Sequence, residues 1–96
     1  MMKISASEQV ARWLGSLAPE PKRRVRQALK GLERWHGDIK ALRGELEGFY
    51  RLLVGGYRIV YRMVDNKVIQ LEYADTRDVV YETFRQLRIL REIKDQ

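Results

Sequence analysis

The chain has 96 residues, 45% hydrophobic and 33% charged, which suits one modest core and excludes a disordered chain. Lys and Arg number 19 against 13 Asp and Glu, a net charge of +6 that favours an anionic partner without choosing among nucleic acid, a membrane surface and an acidic protein. There is no cysteine and only one histidine, His36, which excludes disulfides and thiolate metal sites and argues against a His-centred triad or multi-His metal site.

One domain spanning 1–96 is expected. The start, "MMKISASEQ", has no apolar stretch of signal-peptide length, and no run reaches the ~18 residues of a membrane span. A soluble cytoplasmic protein is the default expectation. "MMKIS" is short and β-compatible. Ser5 then stands three residues before Glu8, the capping-box spacing of a helix start. Val10, Trp13, Leu14 and Leu17 follow at i, i+3, i+4 and i+7, one apolar helix face. "APEP" interrupts the chain, and proline suits the first turn of a new helix. Val25, Ala28, Leu29 and Leu32 repeat the helical spacing, so a helical hairpin is predicted.

The stretch 37–48, "GDIKALRGELEG", reads as a glycine-punctuated loop. After it the apolar period changes from helical to alternating. "FYRLLV", "YRIVYRMV" and "KVIQLEY" read as three strands joined by "GG" and "DN" turns. Beyond "ADTRD", Val79–Lys94 is helical again. Val80, Phe84, Leu87 and Arg91 share a face, and the series Arg85, Arg88 and Arg91 reads as the wet side of the helix. The order β-α-α-β-β-β-α predicts an α+β fold: an antiparallel sheet, a helical hairpin packed on one face, and a C-terminal helix.

A two-residue turn at Gly55-Gly56 sets a register in which Leu53 pairs with Arg58, Arg51 with Val60, and Phe49 with Arg62. Paired residues share a sheet face. Arg51, Arg58 and Arg62 therefore fall on one face, and Tyr50, Tyr57 and Tyr61 on the other. A second turn at Asp65-Asn66 adds Ile69, Leu71 and Tyr73 to the arginine face and sets Tyr73 opposite Arg58. Guanidinium forks grip phosphate and rings stack on bases, so this face suits RNA. It equally suits arginines that merely lie over rings and meet water. His36 reads as a surface residue. Nothing marks Glu45 and Glu47 as a catalytic carboxylate pair, and "GELEG" has no phosphate-loop pattern.

Three blocks resemble the RelE/ParE superfamily of type II toxin–antitoxin toxins across nearly the whole chain. "ISASEQVARWLGSLAPEPKRRVRQALKGL" is similar to the superfamily's first strand and helical hairpin. "ALRGELEGFYRLLVGGYRIVYRMVDNKVIQLEY" resembles its central loop and strands, and "TRDVVY" its tail motif. The resemblance implies a RelE-like fold and a ribosome-dependent mRNA endoribonuclease that works in the ribosomal A site. It implies no cofactor and no metal, because the 2′-OH of the mRNA is the nucleophile and Lys/Arg groups activate it and balance the charge.

A cognate acidic antitoxin is the implied partner, with operator DNA reached only through it and no membrane. The resemblance also implies that antitoxin binding moves the C-terminal helix. By the same resemblance Arg51, Arg58, Arg77 and Tyr81 are the catalytic set: Arg58 holds the scissile phosphate, Arg77 aids the leaving group and Tyr81 positions the nucleotide. Arg62 and Tyr73 are the expected further RNA contacts. Leu53 stands where the RelE pattern has a second lysine, and arginine is a poor general base. Tyr81, Asp75, Asp78 or plain electrostatic activation could fill that role. The implied alternatives are a ParE-like inhibitor of DNA gyrase and a family member that only binds its antitoxin or DNA.

Overall fold

The computed structural model describes residues 1–76 and 80–94. In chain order its elements are β1 (Lys3–Ala6), α1 (Glu8–Ser16), α2 (Pro19–Leu32), β2 (Asp38–Ala41), a 3-10 turn (Gly44–Leu46), β3 (Phe49–Val54), β4 (Tyr57–Asp65), β5 (Val68–Asp75) and α3 (Val80–Lys94). The five strands form one sheet in the order β1-β5-β4-β3-β2. The α+β reading therefore holds, with two additions. Segment 37–48 is not all loop, because Asp38–Ala41 pairs antiparallel with Tyr50–Leu53 as an edge strand. The sheet is mixed, because β1 runs parallel to β5.

The helical hairpin forms as its periodicity predicts. Val10, Val25 and Leu32 are buried, and Trp13, Leu14, Leu17, Ala28 and Leu29 pack around them. Pro19 opens α2, where its missing N–H costs nothing. The cap of α1 differs from the sequence reading. Ser5 belongs to β1, and Ser7 is the N-cap, its Oγ accepting from Val10 N at 3.2 Å. The same Oγ donates to Glu72 O at 2.9 Å. Ser7 N donates to Leu71 O, so the chain pairs with β5 up to the cap itself.

Beyond that point Gln9 replaces a strand. Its Nε2 donates to Ala74 O at 2.8 Å and its Oε1 accepts from Ala74 N at 2.9 Å. Gln9→Ala is expected to cost about 1–2 kcal/mol, the value of two side-chain hydrogen bonds to otherwise open backbone. Chemical denaturation would measure it; an unchanged midpoint would show that water serves this edge as well.

The first hairpin has the predicted register at every pair from Phe49↔Arg62 to Val54↔Tyr57. Gly55 makes the turn with φ of +59°, a conformation that glycine adopts without steric cost. The tyrosines face the helical hairpin. Tyr61 is fully buried and stacks on Tyr50 at 5.4 Å, with Trp35 edge-on to both. Burial, reinforced by Tyr50, raises the Tyr61 phenol well above its ordinary pKa, so it stays neutral.

The second hairpin departs from its predicted register. The turn lies at Asn66-Lys67, because Asp65 pairs with Val68 and its Oδ1 accepts from Lys67 N at 2.6 Å. That side-chain bond makes Asp65 the residue before the turn. Val64 then bulges from β4 and Glu72 from β5. A one-residue slip exchanges sheet faces. Ile69 and Leu71 accordingly lie in the helix-covered core, not on the arginine face. The second bulge returns Tyr73 to the arginine face, opposite Val60, while Arg58 pairs with Asp75.

The opposite face carries a smaller core of Leu46, Phe49, Val60, Val80 and Phe84. Helix α3 covers only part of this face. Leu87, expected in its apolar stripe, is 42% exposed, and Leu90 and Ile93 are more so. Two of the arginines expected on its wet side instead tie it down. Arg85 pairs with Glu45 at 3.1 Å, and Arg88 donates to Glu45 O and lies 4.7 Å from the Phe49 ring centre. Among the described residues no helix is long and apolar enough to cross a membrane.

Candidate active-site cleft

Where α3 leaves the sheet uncovered, the arginine face opens into a cleft of about 1050 Å³. Two strand registers furnish it. The β3–β4 pairing sets Leu53 opposite Arg58 and Val60 opposite Arg51, so Arg51 and Arg58 are diagonal neighbours on one face. The β2–β3 pairing adds Lys40 directly opposite Arg51. Arg43, just before the 3-10 turn, and Tyr81, in the first turn of α3, also line it. Four cations and one phenol thus line a single concavity, with no carboxylate among the described lining residues. Such a surface attracts an anion and has donors to hold it.

The arginines are set at different depths. The Arg51 side chain is only 14% exposed, and its Nη2 meets Asp38 Oδ1 at 3.3 Å. Its buried Nε has no partner among the described residues. Arg58 Nη1 donates to Gly56 O at 3.3 Å and Thr76 O at 3.5 Å, so backbone at the hairpin turn and at the end of β5 locates its guanidinium. Asp75, its cross-strand neighbour, accepts from Thr76 N through Oδ1 at 2.6 Å. On α3, hydrogen bonds from Arg85 hold the Glu82 carboxylate below its ordinary pKa, and those bonds with the Glu45 contact raise that of Arg85.

Of the residues singled out from sequence, the structure brings Arg51, Arg58 and Tyr81 together in this cleft. It does not bring Arg62 or Tyr73 there. Arg62 pairs with Glu72 at 2.6 Å beside Phe49 and Phe84. Tyr73 packs into the α3 core, its ring stacked on Phe84 at 6.3 Å. Arg77 and Asp78 lie outside the described residues. Leu53 is half-buried between Asp38 and Arg58 in the register.

Lys40 and Arg43 were missed because 37–48 read as loop. "DIKA" has one large apolar residue, too little for an alternation to show.

No protein-family model matches the sequence, and a search of curated proteins finds no match. Solved structures do match. The toxin–antitoxin complex RelBE2 of Mycobacterium tuberculosis aligns at 24% identity and TM-score 0.62, over 79% of this chain and 98% of that one. The RelB-RelE antitoxin-toxin complex of Methanococcus jannaschii aligns at 20% identity and TM-score 0.65, over 83% and 98%. YafQ of E. coli aligns at 13% identity and TM-score 0.62, over 84% and 99%. The chain therefore has the fold of the RelE and YafQ toxins, at identities that speak for the fold.

Proposed function

We propose that this chain, with the fold of RelE-type toxins, is the toxin of a type II toxin–antitoxin system that cleaves mRNA in the ribosomal A site. The observation that carries the reading is the convergence of Arg51, Arg58 and Tyr81, with Lys40 and Arg43, in one cleft. In RNA cleavage by the neighbouring 2′-OH, negative charge gathers on the phosphorus oxygens in the transition state. Guanidinium groups already held in place stabilise that charge without reorganising. In this reading Arg58 holds the scissile phosphate. Arg51, its diagonal neighbour held by Asp38, adds positive potential. Tyr81 supplies the ring for the nucleotide, and the sugar hydroxyl restricts the chemistry to RNA.

The matched RelE chains are seen with antitoxins. For this chain the corresponding partner is an acidic protein. The exposed Leu87, Leu90 and Ile93 of α3, beside Arg91 and Lys94, suit an acidic amphipathic helix. Because Tyr81 rides on α3, an antitoxin that moves this helix also removes Tyr81 from the cleft. Equal amide protection of residues 80–94 in free and antitoxin-bound protein would sink that part of the proposal.

The function is tested by inducing the protein and mapping 5′ ends of cellular mRNA. New ends within A-site codons, together with arrested translation, are the expected result. Intact mRNA accompanied by DNA damage would instead favour a gyrase inhibitor.

A further inference from the structure

The cations of the cleft are not chemically alike. Arg43, Arg51 and Arg58 carry guanidinium groups, which keep their protons at any ordinary pH and so cannot take one up. Lys40 is the single lysine among the described cleft-lining residues. An amine balances charge when protonated and is a competent base when not.

The sheet decides where this amine stands. Lys40 on β2 is the direct partner of Arg51 on β3, and Arg51 is one diagonal step from Arg58. Directly paired side chains start about 5 Å apart, so the Lys40 stem and the two guanidinium groups rise from one small area of one face. Their environments differ. Arg51 is sunk into the sheet and engaged by Asp38, whereas Lys40 is exposed and its side chain makes no hydrogen bond or ion pair among the described residues. Its flexible four-carbon stem can therefore swing to a substrate that Arg51 and Arg58 hold.

We infer that Lys40 is the proton acceptor for the attacking 2′-hydroxyl, an inference that rests on the ribonuclease reading above. In this step neutral Lys40 Nζ takes the proton of the 2′-OH. The 2′-oxygen forms a bond to the adjacent phosphorus, and the bond from phosphorus to the 5′-oxygen of the next nucleotide breaks. The departing oxygen collects a proton from solvent, and Lys40 later returns its own proton to solvent. The products are a 2′,3′-cyclic phosphate and a 5′-hydroxyl, with no net change in protons. Arg58 and Arg51 carry the charge that builds on the phosphorus oxygens.

The absence of cysteine provides a direct test. Lys40→Cys creates the only thiol in the chain, so the purified variant can be alkylated at that one atom. Alkylation with 2-bromoethylamine rebuilds an amine of lysine length. Alkylation with (2-bromoethyl)trimethylammonium builds a side chain of the same length with a fixed positive charge and no proton to exchange. Single-turnover cleavage of a short mRNA on programmed ribosomes is the readout, with thermal unfolding to show that each form is folded.

Lys40→Arg and unalkylated Lys40→Cys are expected to slow cleavage by about 100-fold or more. The aminoethyl form is expected to recover most of the rate and the trimethylated form none of it. Near-wild-type cleavage by Lys40→Arg, by unalkylated Lys40→Cys or by the trimethylated form would overturn the inference, as would failure of the aminoethyl form to recover. No cleavage by the wild-type protein is a different outcome; it overturns the ribonuclease reading itself, and this inference with it.

Discussion

Arg58→Ala is expected to lower mRNA cleavage by roughly 10²–10³-fold, the usual cost of removing one fixed donor from a developing oxyanion. The Arg58 guanidinium lines the cleft and is bound by carbonyls at the hairpin turn and after β5, so its position precedes substrate binding. Removing it opens neither hydrophobic core, because its side chain lines the cleft. The variant should therefore unfold near the wild-type temperature. Arg58→Lys keeps a charge but not the planar two-pronged fork, and should recover only part of the loss. Cleavage on programmed ribosomes, measured alongside thermal unfolding, checks both statements. A folded Arg58→Ala protein that cleaves at the wild-type rate would remove Arg58 from the site.

Phe84→Ala should release α3 without unfolding the sheet. Phe84 is 3% exposed and edge-on to Phe49 at 5.1 Å, and only Val80 is buried with it on this helix. Truncating a buried phenylalanine costs about 3–5 kcal/mol. The polar ties of α3 to Glu45 through Arg85 and Arg88 are exposed and individually worth little. The larger core beneath the helical hairpin does not include α3. Amide exchange should therefore show residues 80–94 losing protection while Ile59, Tyr61 and Ile69 keep theirs. Cleavage should fall in parallel, because Tyr81 leaves the cleft with its helix. Protection lost uniformly over the whole chain, or retained in α3, would contradict this division into a stable sheet layer and a lightly held helix.

Much of this architecture is legible in the residues themselves. The helical hairpin follows from two runs of apolar residues at 3.6 spacing, and the β3–β4 register from a Gly-Gly pair between two alternating strands. Both are local: residues close in the chain determine which neighbours they meet. The same register placed Arg51 and Arg58 on one face and the three tyrosines in the core. The failures have two causes, one a pairing partner distant in the chain and the other a local bulge that alternation does not reveal. Ser7, not Ser5, caps α1, because β1 extends to Ala6 in pairing with β5, more than sixty residues later. Ile69 and Leu71 lie on the other face because the bulge at Val64 slips the β4–β5 pairing by one residue.

Composition and local pattern by themselves determined an α+β chain with excess positive charge and an arginine-bearing hairpin. Periodicity and turn chemistry act over a few residues, and that range covers a helical hairpin and a tight β-turn. Only the tertiary structure decided which cations share a site. It separated Arg62, paired with Glu72, and Tyr73, stacked on Phe84, from the cleft. It brought in Tyr81 on a helix from the end of the chain, and Lys40 from an edge strand too short to recognise. The physical reason is that an edge strand of four residues exists through its hydrogen bonds to β3, so Lys40 acquires its place beside Arg51 only when the sheet forms.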